Sequence, residues 1–175
     1  PRSTHERSSA ASDVYKRQIH KREFKTTTGV YKGKRISVIS TGIGSDNIDI
    51  VFNELDALVN INLETRTIKE KHTALNIVRI GTSGSLQKDI PLDSFLLSTY
   101  AIDINGMLRS YITETISHPS IENAFVAHTN WDEKKCFPLV VSNSKSLEDK
   151  ITSEIIYKGM TAAAGGFYGP QGRVV

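Results

Sequence analysis

The feature that most constrains this chain is a local pattern that occurs twice. A short run of β-branched and apolar residues ends abruptly in a turn of glycines and hydroxyls. Residues 35–41 run into Thr41-Gly42-Ile43-Gly44, and residues 75–80 run into Gly81-Thr82-Ser83-Gly84. Such runs predict strands, and glycine lets the backbone turn sharply at their ends. After the first junction the period changes. Ile48, Val51, Phe52, Leu55, Leu58 and Val59 fall on one helical stripe, with Ser45 or Asp46 as its predicted cap and Asp46 and Asp49 at its positive end.

The rest of the chain continues the alternation. Strands are predicted over residues 22–31, 94–103, 137–142 and 155–163, and helices over 121–131 and 146–152. Residues 75–80 are predicted as a buried strand. Lys32-Gly33-Lys34 reads as the tight, solvated tip between the first two strands. Strands alternating with helices predict an α/β fold, a three-layer α/β/α arrangement around a mixed, largely parallel central sheet. The length, 175 residues, suits one domain.

Residues 1–18 differ from the remainder. They are polar, lack a hydrophobic period and are expected to be a non-native or disordered leader, leaving 19–175 as the domain. That leader holds four Lys/Arg and two Asp/Glu, so the body carries 18 basic and 17 acidic residues. A nearly neutral body argues against a nucleic-acid or membrane surface as its main partner. Cys136 is the sole cysteine, so no intramolecular disulfide can form, and a reducing, cytoplasmic setting is expected. Cys136 itself reads as inert core ahead of a strand.

In open α/β sheets ligands gather at the carboxyl ends of strands, where backbone N–H groups of glycine turns can approach an anion. Asn47 stands where a dinucleotide fingerprint would have its third glycine, which argues against that cofactor. Arg79 interrupts an apolar strand, and a buried guanidinium needs either an Asp or Glu partner or a bound oxyanion. Thr82, three residues on, can join it on one phosphate. Near the C-terminus, Phe167-Tyr168-Gly169-Pro170-Gln171-Gly172-Arg173 combines an aromatic face, an amide and a guanidinium. A flat heteroaromatic ring wants stacking plus in-plane donors and acceptors, although a surface turn with a packed Phe has the same composition. His20, His72, His118 and His128 lack metal-ligand spacing and read as surface or packing residues. Asp103, at a strand end, reads as a turn former.

Taken in order, Arg22-Glu23-Phe24, Ser40-Thr41-Gly42-Ile43-Gly44, Arg79-Ile80-Gly81-Thr82-Ser83-Gly84 and Phe167-Tyr168-x-x-Gln171-x-Arg173 resemble the blocks of uridine phosphorylases. The resemblance runs from about Lys21 to the last residue. It implies the nucleoside phosphorylase type of α/β fold and phosphorolysis of uridine to uracil and ribose 1-phosphate. A purine nucleoside phosphorylase or nucleosidase of the same fold, and a non-catalytic nucleoside-binding fragment, are the alternatives. Residue by residue, it implies that Arg22, Arg79 and Thr82 bind phosphate, with Thr82 also near the ribose. It implies that Phe167, Gln171 and Arg173 bind the base, and that Arg79, Thr82 and Arg173 carry catalysis. Arg22 would serve a neighbouring subunit, which implies a homo-oligomer, dimer or hexamer. No cofactor or metal is implied; inorganic phosphate is the co-substrate. The pattern departs from the family at Gly169-Pro170, which inverts the order Pro-Gly, and at Gly172, which replaces an acidic residue. A Gly-Asp-Pro-x-Arg phosphate loop before Arg22 and a Met-Glu-x-Glu ribose-binding stretch after Val175 are also implied and do not occur, so truncation at both ends is expected.

Overall fold

A computed structural model describes residues 13–173. The chain divides into two compact units, Pro1–Thr82 and Ser83–Val175. The first opens with an antiparallel meander of β1 (Asp13–Lys21), β2 (Phe24–Tyr31) and β3 (Lys34–Ser40). Its two tips are two-residue turns, Arg22-Glu23 and Lys32-Gly33. Lys32 and Gly33 both have positive φ, 47° and 74°, the twist that matches a tight hairpin to its strands. Thr27 is buried on the central strand, and Thr28 and Ser37 share a 2.8 Å cross-strand hydroxyl hydrogen bond.

The expected leader over residues 1–18 overlaps the first strand. Residues 13–18 belong to β1, where Arg17 and Gln18 pair with Thr28 and Thr27. Residues 1–12 lie outside the described residues.

Helix α1 (Ser45–Asn60) follows β3, as its apolar stripe predicts. Its cap differs: Gly44, at φ 106°, holds the N-cap position with no side-chain cap, and Ser45 Oγ turns to Asp46 Oδ1 instead. The other end is built by Asn60, which is buried. Its Nδ2 donates to Asp56 Oδ1 (2.7 Å) and to the Thr73 carbonyl (3.2 Å), while its Oδ1 accepts from Thr73 N (2.7 Å). Lys69 Nζ donates to the Val59 carbonyl at the negative end of the helix. The short hairpin of β4 (Ile61–Asn62) and β5 (Thr67–Ile68) lies between these contacts.

Residues 75–80 are the main correction. They form no strand in the structure, and every side chain from Leu75 (42% exposed) to Ile80 (67%) is open to solvent. Apolar, β-branched composition favours an extended backbone, but a strand also requires hydrogen-bonded neighbours, which no local pattern specifies.

The second unit is organised on β6 (Phe95–Asp103), which lies between β7 (Leu139–Ser142) and β8 (Ile156–Ala163). β6 and β8 run parallel, and β6 and β7 antiparallel, so this sheet is mixed and the chain is α/β. Among the described residues the other strand pairs are antiparallel. Helices α2 (Pro119–Thr129) and α3 (Lys145–Ile151) flank β7 in sequence, close to their predicted positions. Ile102, Leu139 and Val140 form the buried apolar core. The open side of β7 is covered: His118 N donates to the Val140 carbonyl, and buried Glu122 accepts from Val140 N at 2.9 Å. Glu122 also faces Arg109 at 4.0 Å, and that guanidinium donates to the Pro138 carbonyl. Glu148 of α3 accepts from Lys158 of β8 (2.7 Å) and from Asn143 (2.8 Å), joining helix to sheet. These two bonds hold its carboxyl down at about 2.

Candidate active site

The parallel strands β6 and β8 end side by side, with Asp103 paired to Ala163 and Ile104 N donating to the Ala163 carbonyl. The carboxyl end of a parallel pair is where α/β proteins place their ligands. Two loops leave this end. The first is fixed by Asp103, a turn former as its position suggests. One carboxylate oxygen accepts from Asn105 N (2.8 Å) and the other from Leu108 N (3.0 Å), anchoring a 3-10 turn over Met107–Ser110.

The second loop carries the aromatic, amide and guanidinium groups. It leaves β8 through Gly165 and Gly166, where side chains would be crowded, severely so at Gly166. A Cβ on Gly166 would lie 2.6 Å from Pro170 Cγ, and one on Gly165 would lie 3.3 Å from Asn105 Oδ1. The loop then winds into a 3-10 turn, Gly169–Gln171, built around one acceptor. The Tyr168 carbonyl takes N–H donors from both Gln171 and Arg173, each at 3.0 Å. Gly172 exits at φ 72°, a left-handed conformation that suits glycine. The Arg173 guanidinium carbon sits 4.1 Å from the centroid of the Phe167 ring, and Tyr168 stands against Phe167 at 82° and 5.5 Å. The structure thus places Phe167, Gln171 and Arg173 on one short loop, with Arg173 against the Phe167 ring. All three are exposed.

The residues expected to bind phosphate are placed differently. Arg79 is exposed, not buried as predicted, and among the described residues it makes no ion pair with Asp or Glu. Its guanidinium folds back over Gly81, where a Cβ would lie 3.1 Å from it. Thr82 is exposed on the same stretch. Arg22 occupies the β1–β2 tip with a left-handed backbone, φ 57°, and is exposed. No hydrogen bond, ion pair or ring contact joins Arg22, Arg79 and Thr82 to one another among the described residues. A cleft of about 410 Å³ between α1 and residues 72–77 contains none of the predicted site residues.

Two positions beside the loop were not singled out by the sequence reading. Asn105 is the neighbour that Gly165 must clear. Gly84 is close enough that a Cβ there would lie 3.9 Å from an Arg173 nitrogen. Gly84 was legible as a turn glycine, and its proximity to Arg173 was not. Cys136 is exposed rather than core, with its Sγ against Gly106, where a Cβ would lie 2.7 Å away. Among the described residues, no helix is long and apolar enough to cross a membrane.

The chain is 27% identical to a uridine phosphorylase of Thermococcus kodakarensis over 152 residues, 87% of this chain and 44% of that protein. It is 39% identical to a DeoD-type purine nucleoside phosphorylase of Clostridium novyi over 82 residues, 47% of this chain and 30% of that one. Among solved structures, a Trypanosoma brucei nucleoside phosphorylase described as showing uridine phosphorylase activity superposes with a TM-score of 0.78 at 25% identity. That match covers 98% of this chain and 62% of the other. The chain therefore spans less than two thirds of the length of these relatives. The phosphorylase superfamily model matches residues 6–174, and the chain belongs to that superfamily.

Proposed function

We propose that the protein carrying this chain performs phosphorolysis of uridine, giving uracil and ribose 1-phosphate. The observation that carries the reading is the loop after β8, where Phe167 and Arg173 flank the 3-10 turn that ends in Gln171, beside the end of a parallel strand pair. Gln offers an acceptor and donors to the imide edge of uracil, Arg offers donors to a carbonyl oxygen, and Phe offers a stacking face. The uridine phosphorylase relative spans 87% of the chain, whereas the purine-type relative spans 47%, which favours a pyrimidine nucleoside.

In this reaction a phosphate oxygen attacks the anomeric carbon as the glycosidic bond breaks. The bonding electrons leave with uracil. Arg173 and Gln171 stabilise the charge that develops on the base, and Arg79 and Thr82 hold the phosphate in line. Arg22, exposed at its hairpin tip, serves the phosphate site of a second subunit. No cofactor takes part, and a reducing cytoplasm fits the single cysteine.

The reading is tested by measuring uracil release from uridine with and without phosphate, using the intact protein and inosine as the comparison substrate. Phosphate-dependent release from uridine, with inosine much slower, is expected. Preference for inosine would contradict the base assignment and favour the purine alternative.

A further inference from the structure

We propose that Arg173 occupies its own base site when that site is empty, and so acts as a selective gate. The proposal rests on the pyrimidine reading of the loop. The guanidinium is a flat cation, and it lies 4.1 Å from the Phe167 centroid, on a face that an aromatic base would use for stacking. Little else holds it. Among the described residues Arg173 makes no ion pair, and the backbone before it turns at Gly172, where a Cβ would meet nothing within 4 Å. Gly84, lacking a side chain, leaves room beside the guanidinium nitrogen. Tyr168 braces the ring at 82° and so keeps the stacking face in place.

A base that enters this slot must move the guanidinium off the ring. The exchange suits a ring with carbonyl oxygens at its edge. Such a ring replaces the cation–π contact with its own stacking and gives the displaced guanidinium an acceptor. A ring without carbonyl oxygens displaces Arg173 and gives nothing back. Arg173 therefore selects twice, by donating to the correct base and by obstructing rings that cannot accept.

The two roles shift affinity in opposite directions, which makes them separable in the intact protein. In Arg173→Ala, uracil should bind more weakly. Unsubstituted pyrimidine, which has no carbonyl, should bind about two- to fivefold more tightly, the ratio that corresponds to an exposed cation–π contact. In the wild-type protein the Arg173 δ-methylene protons should be shifted upfield by the Phe167 ring current and return downfield on adding uracil. Phe167→Leu should remove the upfield shift. The wild-type shift needs no variant to fold.

Other outcomes overturn the gate in distinguishable ways. If uracil perturbs the Phe167 ring and loses affinity in Arg173→Ala while pyrimidine binding is unchanged or weaker and the δ-protons stay fixed, the base site stands and the gate fails, as when the base stacks on the opposite face of Phe167. If neither ring perturbs Phe167, the pyrimidine reading of the loop fails and the gate fails with it.

Discussion

Arg173 and Arg79 are both exposed guanidiniums, yet the chemistry asks different things of them. In the proposed reaction Arg173 aims a donor at an oxygen on which charge accumulates, and preorganised donors of that kind contribute about 2.7–4 kcal/mol to a transition state. Arg173→Ala is expected to lower turnover of uridine at least about tenfold; near-wild-type turnover would remove it from catalysis. In the same proposal Arg79 grips phosphate with a planar fork, so Arg79→Lys is expected to raise the KM for phosphate despite the retained charge. Glu148 gives a pH prediction. Its carboxyl is held at about 2 by Lys158 and Asn143, against about 4.3 in an unfolded chain. A lowered pKa stabilises the fold above the unfolded value and is lost as pH falls through the folded one. The wild-type advantage in thermal midpoint over Glu148→Gln should hold above about pH 5 and shrink between about pH 4.3 and 2. At this scale the sequence was informative about identity and silent about pose. The types at Phe167, Gln171 and Arg173 are those a base site would use, but the stacking of Arg173 on Phe167 depends on the path of the loop between them.

At the scale of elements, the second unit stands on the covered edge of β7. Glu122 accepts the Val140 N–H that no strand receives, and its removal leaves a buried donor unpaired. Glu122→Ala should therefore destabilise the fold by about 1–3 kcal/mol in denaturant unfolding; no change would mean that the edge is supported elsewhere. Such a carboxylate reads as a solvated helix residue in the sequence, because its acceptor role arises only when α2 and β7 meet. The stripe of α1 and the strands β6 and β8 were legible because their periods are local. Two elements were not. Residues 75–80 have strand composition but no strand partner among the described residues, and residues 13–18 lack a hydrophobic period yet belong to β1, where Asp13, Arg17 and Gln18 pair with β2, since strand pairing uses backbone groups that composition does not report. The N-terminus of α1 belongs with them: Ser45 and Asp46 look like caps, while Gly44, at φ 106°, takes that place.

For the whole molecule, the α/β class and superfamily membership followed from blocks spread along most of the chain. The proposed sharing of a site between subunits did not. Arg22 projects from a hairpin tip and touches neither Arg79 nor Thr82 among the described residues, an arrangement suited to service in a second subunit. Mixing intact Arg22→Ala and Arg79→Ala proteins should restore activity that each lacks alone, because a mixed assembly contains one complete site. Failure to complement under conditions that exchange subunits would place Arg22 in its own chain's site or outside catalysis. The central claim is a transfer of ribose to phosphate, and the measurement that reads it most directly is the phosphorus NMR spectrum of uridine and phosphate incubated with the intact protein. A growing ribose 1-phosphate resonance matched by uracil release is the expected result. Uracil release with free ribose and an unchanged phosphate signal would make the protein a hydrolase and contradict the account.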